Sequence, residues 1–154
     1  LFAGFGKSPY SFAPTSLVLN IVYVATFLLG TELSRTYLIK YGTQRRLQAT
    51  TTLILVTLIY VVIKIQTSDL ALLSFSNPPA TLEFLGGTIL PAIAMNLLAS
   101  YLAYLGGATA SISYIGILMA FEWFSPILPN PHWTLLALIG TIAPAIGYTL
   151  LQSV

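Results

Sequence analysis

Residues 14–41 read PTSLVLNIVYVATFLLGTELSRTYLIKY, and this stretch decides the class of the protein. From Leu17 to Gly30 no residue carries a charge. An apolar helix of roughly 20 residues, rising 1.5 Å per residue, covers a bilayer core of ~30 Å. Pro14 suits a helix N-terminus, where the N–H that proline lacks would have no partner. Glu32 and Arg35 arrive together near the far end, and Lys40 follows them.

Four further apolar blocks follow, divided by charges and by Pro/Gly clusters. The predicted helices cover residues 14–41, 47–65, 80–105, 108–124 and 133–152. Pro78-Pro79 opens the third, and Gly106-Gly107 separates it from the fourth. Pro129-Asn130-Pro131 leads into the fifth. Runs this long and this continuously apolar are helices, because barrel strands are shorter and alternate. The expected fold is an all-α bundle of five transmembrane helices, forming one domain over residues 1–154. Three stretches are read as non-spanning. Residues 1–13 form an external, membrane-skimming segment, residues 66–79 hold a short amphipathic element around Asp69 to Phe75, and residues 125–132 make a Pro-rich rigid turn.

The whole composition agrees. Of the 154 residues, 56% are hydrophobic and only 6% charged, where a soluble domain carries roughly a quarter. Disordered chains are poor in apolar residues, so that class is excluded as well. Six basic residues against four acidic ones are too few for a nucleic-acid footprint. The absence of Cys rules out disulfides and thiolate chemistry. A single His rules out multi-histidine metal or haem sites within this chain. No cofactor and no metal are expected. The first apolar run is too long for a cleavable signal peptide and ends without an A-x-A site. A chain beginning at Leu1 reads as a processed form or as an ordered part of something longer.

Basic residues in short loops set orientation. Lys40, Arg45 and Arg46 gather between helices one and two, with Arg35 just before them. The other side carries Lys7 and Lys64 against Asp69, Glu83 and Glu122. The expected topology is N-terminus out and C-terminus in. Tyr10, Trp123 and Trp133 fall near the outer interface, and Tyr37, Tyr41 and Tyr104 near the inner one. The expected location is the plasma membrane of a prokaryote.

Ionisable and amide groups within spans are the candidate functional residues. Glu32 and Arg35 stand three apart on one helix face and can pair. They read as a self-neutralised pair docking helix one on its neighbours, as a substrate or proton site, or as a contact for a partner or lipid headgroup. Counting from Lys40 puts them near the inner interface. Asn20 and Asn96, the latter one turn from Ser100, read as interhelical glue or as part of a transport path. Glu83 reads as a charge favouring the start of helix three. Glu122 ends helix four, where the dipole disfavours a carboxylate, so it wants a partner in Lys64 or His132. His132 otherwise reads as a turn residue. Gly116/Ala120 and Ala99/Ala103 are small-xxx-small pairs for helix packing, and Pro91 and Pro144 are positions of kinks. H-E-x-x-H, G-x-S-x-G and P-loop motifs are all absent, so no catalytic residue is expected in this chain.

Three stretches carry a resemblance: Gly6-Lys7-Ser8-Pro9-Tyr10, Thr31-Glu32-Leu33-Ser34-Arg35-Thr36-Tyr37-Leu38, and Phe124-Ser125-Pro126-Ile127-Leu128-Pro129. Together they resemble the multi-span N-terminal membrane region preceding the catalytic domain in some archaeal signal-peptidase-like proteins, over most of the chain. That family uses a Ser nucleophile, usually in a Ser-Met motif, with a Lys or His base in an external β-rich domain. Neither motif nor domain is present, so no catalytic residue carries over. The resemblance implies membrane anchoring or substrate presentation, and a C-terminus inside would need one further span before an external domain.

The leading expectation is a non-catalytic membrane subunit or anchoring module within a larger assembly. Its partners are the bilayer and other membrane subunits, or a further domain of the same protein, and not nucleic acid. The alternatives are a transporter or channel component using Asn20, Glu32, Asn96 and Ser100, and the membrane region of a signal-peptidase-like serine protease.

Overall fold

The computed structural model describes residues 3–45, 47–65 and 78–153. The elements run β1 (Ala3–Lys7), α1 (Pro14–Gln44), α2 (Ala49–Lys64), α3 (Pro78–Phe84), a π-helical turn (Leu85–Ile89), α4 (Leu90–Phe124), β2 (Ile127–Pro131) and α5 (Trp133–Gln152). Three helical stretches are long and apolar enough to cross a membrane: Pro14–Gln44, Pro78–Phe124 and Trp133–Gln152. They mark the chain as an integral membrane protein.

The 47-residue helix Pro78–Phe124 is not one straight rod. Glu122 and Asn96 line the same cavity, although a straight helix would hold residues that far apart in sequence about 39 Å apart. The chain therefore folds back within α4, at Gly107. Its φ of 69° and ψ of −163° belong to a region that only glycine enters without strain. Residues 90–106 and 108–124 form two antiparallel arms. α4 packs against α1, α2 and α5 and is the centre of the bundle. Of its most apolar window 28% is buried inside the chain, against 11% for α1 and 6% for α5. The remaining apolar surface of α1 and α5 faces outward, as lipid-facing helices require.

Small residues set the close approaches. Ala99 and Ala103 are buried. Gly116 meets Leu28 of α1, and Gly147 meets Leu98. A β-carbon on Gly140 would lie 2.8 Å from Cβ of Pro91, so α5 rests directly on the proline of α4. Ala120, by contrast, is exposed and takes no part in burying a helix contact.

Several sequence expectations change. The N-terminal segment does not simply skim a surface, and residues 125–132 are more than a turn. β1 and β2 pair antiparallel, from Ala3 opposite Pro131 to Lys7 opposite Ile127. Pro129 and Pro131 lie two apart in β2, so both can turn their missing N–H away from the partner strand. Stacking of Tyr10 on Trp123, with ring centroids 3.9 Å apart, ties this ribbon to the end of α4. α1 continues to Gln44, three residues past the expected end, because nothing in Gly42-Thr43-Gln44 interrupts its ladder. The third helix starts at Pro78, so Glu83 falls in its second turn and does not open it. The amphipathic element expected around Asp69 to Phe75 lies outside the described residues, as does Arg46.

Candidate functional site

α1, α2 and α4 each present a polar pair spaced three or four residues apart to the same point. The pairs are Glu32/Arg35, Thr57/Tyr60 and Asn96/Ser100. Glu32 is 1% exposed and Arg35 2%, so the ion pair is almost wholly buried. Arg35 Nε donates to Glu32 Oε2 at 2.8 Å and Nη2 donates to Oε1 at 3.2 Å, a two-pronged grip on one carboxylate.

The other donors reach α4. Nη2 also donates to Asn96 Oδ1 at 2.9 Å, while Nη1 donates to Ser100 Oγ at 2.9 Å and to the Asn96 carbonyl at 3.3 Å. Guanidinium has five N–H donors, and five bonds are made. The ring of Tyr60 covers the guanidinium carbon at 4.0 Å, a cation–π contact that strengthens when water is excluded.

A further layer of bonds binds α2 in. Thr57 Oγ1 donates to Ser100 Oγ at 3.2 Å. Tyr60 Oη donates to the Thr31 carbonyl at 2.9 Å and lies 2.6 Å from Ser34 Oγ. Asn96 Nδ2 donates to the Ala92 carbonyl at 2.9 Å, which leaves its Oδ1 free to face Arg35. Burying two charges costs several kcal/mol per ion, and the pair persists only when geometry and extra hydrogen bonds offset this. Here those extra bonds come from two other helices. The network stands about 10–16 Å from the Gly107 turn, counted along α4.

The structure brings Glu32, Arg35 and Asn96 together and leaves two other candidates elsewhere. Asn20 sits half-buried near the start of α1, where its Nδ2 donates to the Ser11 carbonyl at 3.5 Å. Glu122 lies one step removed, on the wall of a cavity of about 200 Å³ whose lining also includes Glu32, Arg35, Lys64 and Asn96. Among the described residues Glu122 forms no ion pair: the one such pair is Glu32–Arg35. His132 does not serve as its partner. His132 is the N-cap of α5, with Nδ1 accepting from the Thr134 N–H at 3.4 Å and lying 2.9 Å from its hydroxyl.

Sequence reasoning missed Thr57 and Tyr60, and it singles out Lys64 only as a partner for Glu122. The spacing of Thr57 and Tyr60 on one face of α2 was a usable signal, but threonine and tyrosine are common enough in apolar helices to pass unnoticed. Among the described residues no cluster of three or more His, Cys, Asp or Glu side chains could hold a metal ion. Chemically, the site holds charge and shape. Among the described residues its arginine is fully engaged, and Lys64 stands on the wall of the neighbouring cavity. No family model, curated protein or solved structure matches the chain.

Proposed function

We propose that this chain is a non-catalytic membrane module that anchors or scaffolds a larger membrane assembly. The observation that carries the reading is the saturation of Arg35: every guanidinium donor is spent inside the chain. A binding or proton-relay arginine keeps donors for its ligand. This one joins three helices and fixes how α1, α2 and α4 present their outer faces. Those faces carry many exposed large apolar side chains, which suit lipid and neighbouring membrane helices alike.

In this reading the bundle crosses the membrane five times, the two arms of α4 counting as two crossings. The ribbon end faces out and the Lys40–Arg45 end faces the cytoplasm of a prokaryotic cell, following the basic residues. α2 has 16 residues and covers ~24 Å, most of a ~30 Å core. The resemblance to archaeal signal-peptidase-like membrane regions gives the module a specific form, an anchor for an external catalytic domain. The test is the intact mass of the species carrying this sequence, purified in mild detergent from its native membrane, together with whatever stays bound. A longer polypeptide or a stoichiometric partner supports the module. A lone chain of 16.6 kDa with nothing bound would overturn it.

A transport reading has one observation in its favour, the shared cavity of Glu32, Lys64, Asn96 and Glu122. Cysteine introduced at Asn96 in this Cys-free chain would then react with a polar thiol reagent from the ribbon side. Protection at Asn96 removes that reading.

A further inference from the structure

The two-stranded ribbon has unlike edges. Ser8 N–H donates to the Pro126 carbonyl at 3.0 Å, so Ser8 turns its backbone groups towards the opposing strand. Peptide groups alternate in direction along a strand. Gly6 and Gly4 therefore also face β2, opposite Leu128 and Asn130. The N–H and C=O groups of Ala3, Phe5 and Lys7 point the other way, along the outer edge of β1. On β2 the outward positions are Ile127, Pro129 and Pro131, and the two prolines have no N–H to give.

β1 thus carries an open edge and β2 a blocked one. Among the described residues no backbone hydrogen bond uses the β1 edge, and neither strand packs along a helix. Phe5, at the middle of that edge, is 82% exposed. A bare strand edge is a template for another strand.

We infer that β1 pairs with β1 of a second copy of this chain, antiparallel about a two-fold axis at Phe5, to make a four-stranded sheet in the order β2-β1-β1-β2. Copies inserted in a membrane the same way carry this edge on the same side and at the same height, which brings like edges together. Of the symmetric registers, only the one centred on Phe5 joins all three outward residues of both copies within β1, with Phe5 opposite Phe5 and Ala3 opposite Lys7. That register holds the two Lys7 positions about 14 Å apart, whereas one centred on Lys7 would set like charges directly opposite. It also gives each exposed Phe5 ring an aromatic neighbour across the strands. Growth stops at two copies, because both outer edges of the new sheet are β2 and are blocked by Pro129 and Pro131. The dimer needs no other protein, so a pair of these chains with nothing else bound upholds it while leaving the scaffold reading unsupported.

The chain has no Cys, so introduced cysteines report the register in the full chain reconstituted at low density in phosphatidylcholine vesicles. A hydrogen-bonded antiparallel pair sets its Cα atoms about 5.5 Å apart and a non-hydrogen-bonded pair about 4.5 Å, both within reach of a disulfide. On mild oxidation Phe5→Cys should link to itself. Gly4→Cys and Gly6→Cys should each fail alone, since like positions would stand about 8 Å apart, and should link when the two variants are mixed. A β-carbon has room at both glycines, with its nearest neighbour 3.6 Å away at Gly4 and 4.0 Å at Gly6. Phe5→Pro removes an outward N–H and leaves the β1–β2 ladder intact. It should weaken dimerisation about tenfold or more relative to Phe5→Ala, since the symmetry deletes two hydrogen bonds at once. Native mass spectrometry needs no variant: the unaltered protein in mild detergent should appear at twice its own chain mass. Cross-linking no stronger at Phe5→Cys than at Ile127→Cys, or equal for Gly4→Cys alone and for the mixture, overturns the pairing. So does a single-chain mass together with no Phe5→Cys link in vesicles. A Phe5→Cys chain that links in native membranes to a different polypeptide, and not to itself, also overturns it and gives the edge to another strand.

Discussion

α4 has two contrasting contacts. Towards α1 and α2 it is joined by hydrogen bonds and a buried ion pair, centred on Arg35. Towards α5 it is joined by close packing, with Gly140 resting on Pro91, Gly147 against Leu98 and the ring of Tyr101 tilted on that of Tyr148 at 4.7 Å. The first contact is directional. A polar group buried in an apolar setting is costly unless paired, so only one rotation and one register of the three helices satisfies every donor. The second contact depends on shape and on aromatic packing. Close approach recovers dispersion energy over many atom pairs, and a cavity of about 560 Å³ lies beside it. One side of α4 thus specifies the fold, and the other side holds space.

The largest way to break this contrast is Arg35→Ala. It leaves Glu32 buried without its partner, and a loss of about 3–5 kcal/mol is expected, read as thermal unfolding in detergent. The paired change Glu32→Leu with Arg35→Met should cost less than the single one, because no charge is left unpaired. If the double variant loses more, the polar network contributes stability that apolar packing does not replace. Gly140→Ala comes next. The added methyl meets Pro91 in space already filled, and overpacking costs about 1–3 kcal/mol. That change should loosen α5 alone, so cross-linking of α1 to α2 should survive it. Tyr60→Phe keeps the ring over Arg35 but removes the hydroxyl that donates to Thr31, and about 1 kcal/mol should be lost. The smallest effect belongs to Asn20→Ala, within about 0.5 kcal/mol, since the Asn20 bond to Ser11 is long and lies outside both contacts.

Much of the helical layout was legible because a bilayer imposes a simple rule on composition. The span Trp133–Gln152 was readable from Pro129-Asn130-Pro131 before it, whereas the N-cap role of His132, read as a turn residue, was not. The spacing of Glu32 and Arg35 made their pairing readable too, as three residues place two side chains on one face. The ribbon was not legible. β1 is five residues long and three of them are Gly or Lys, and β2 contains two prolines. Neither strand alternates in polarity, and what holds them is each other across more than 120 residues of chain. The same limit hid Tyr60, whose neighbours Thr31 and Arg35 come from a different helix.

By itself the sequence determined the environment and the positions of the long helices, because burial in lipid and the 3.6-residue turn act on neighbours along the chain. The Gly106-Gly107 break also announced itself there. Only the tertiary structure decided that α4 folds back to bring Glu122 and Asn96 to one cavity, that Arg35 spends all its donors on Glu32, Asn96 and Ser100, and that a cavity opens beside Lys64. Those outcomes depend on which helix faces meet, and meeting is settled by polar groups finding every partner and by glycines letting backbones touch.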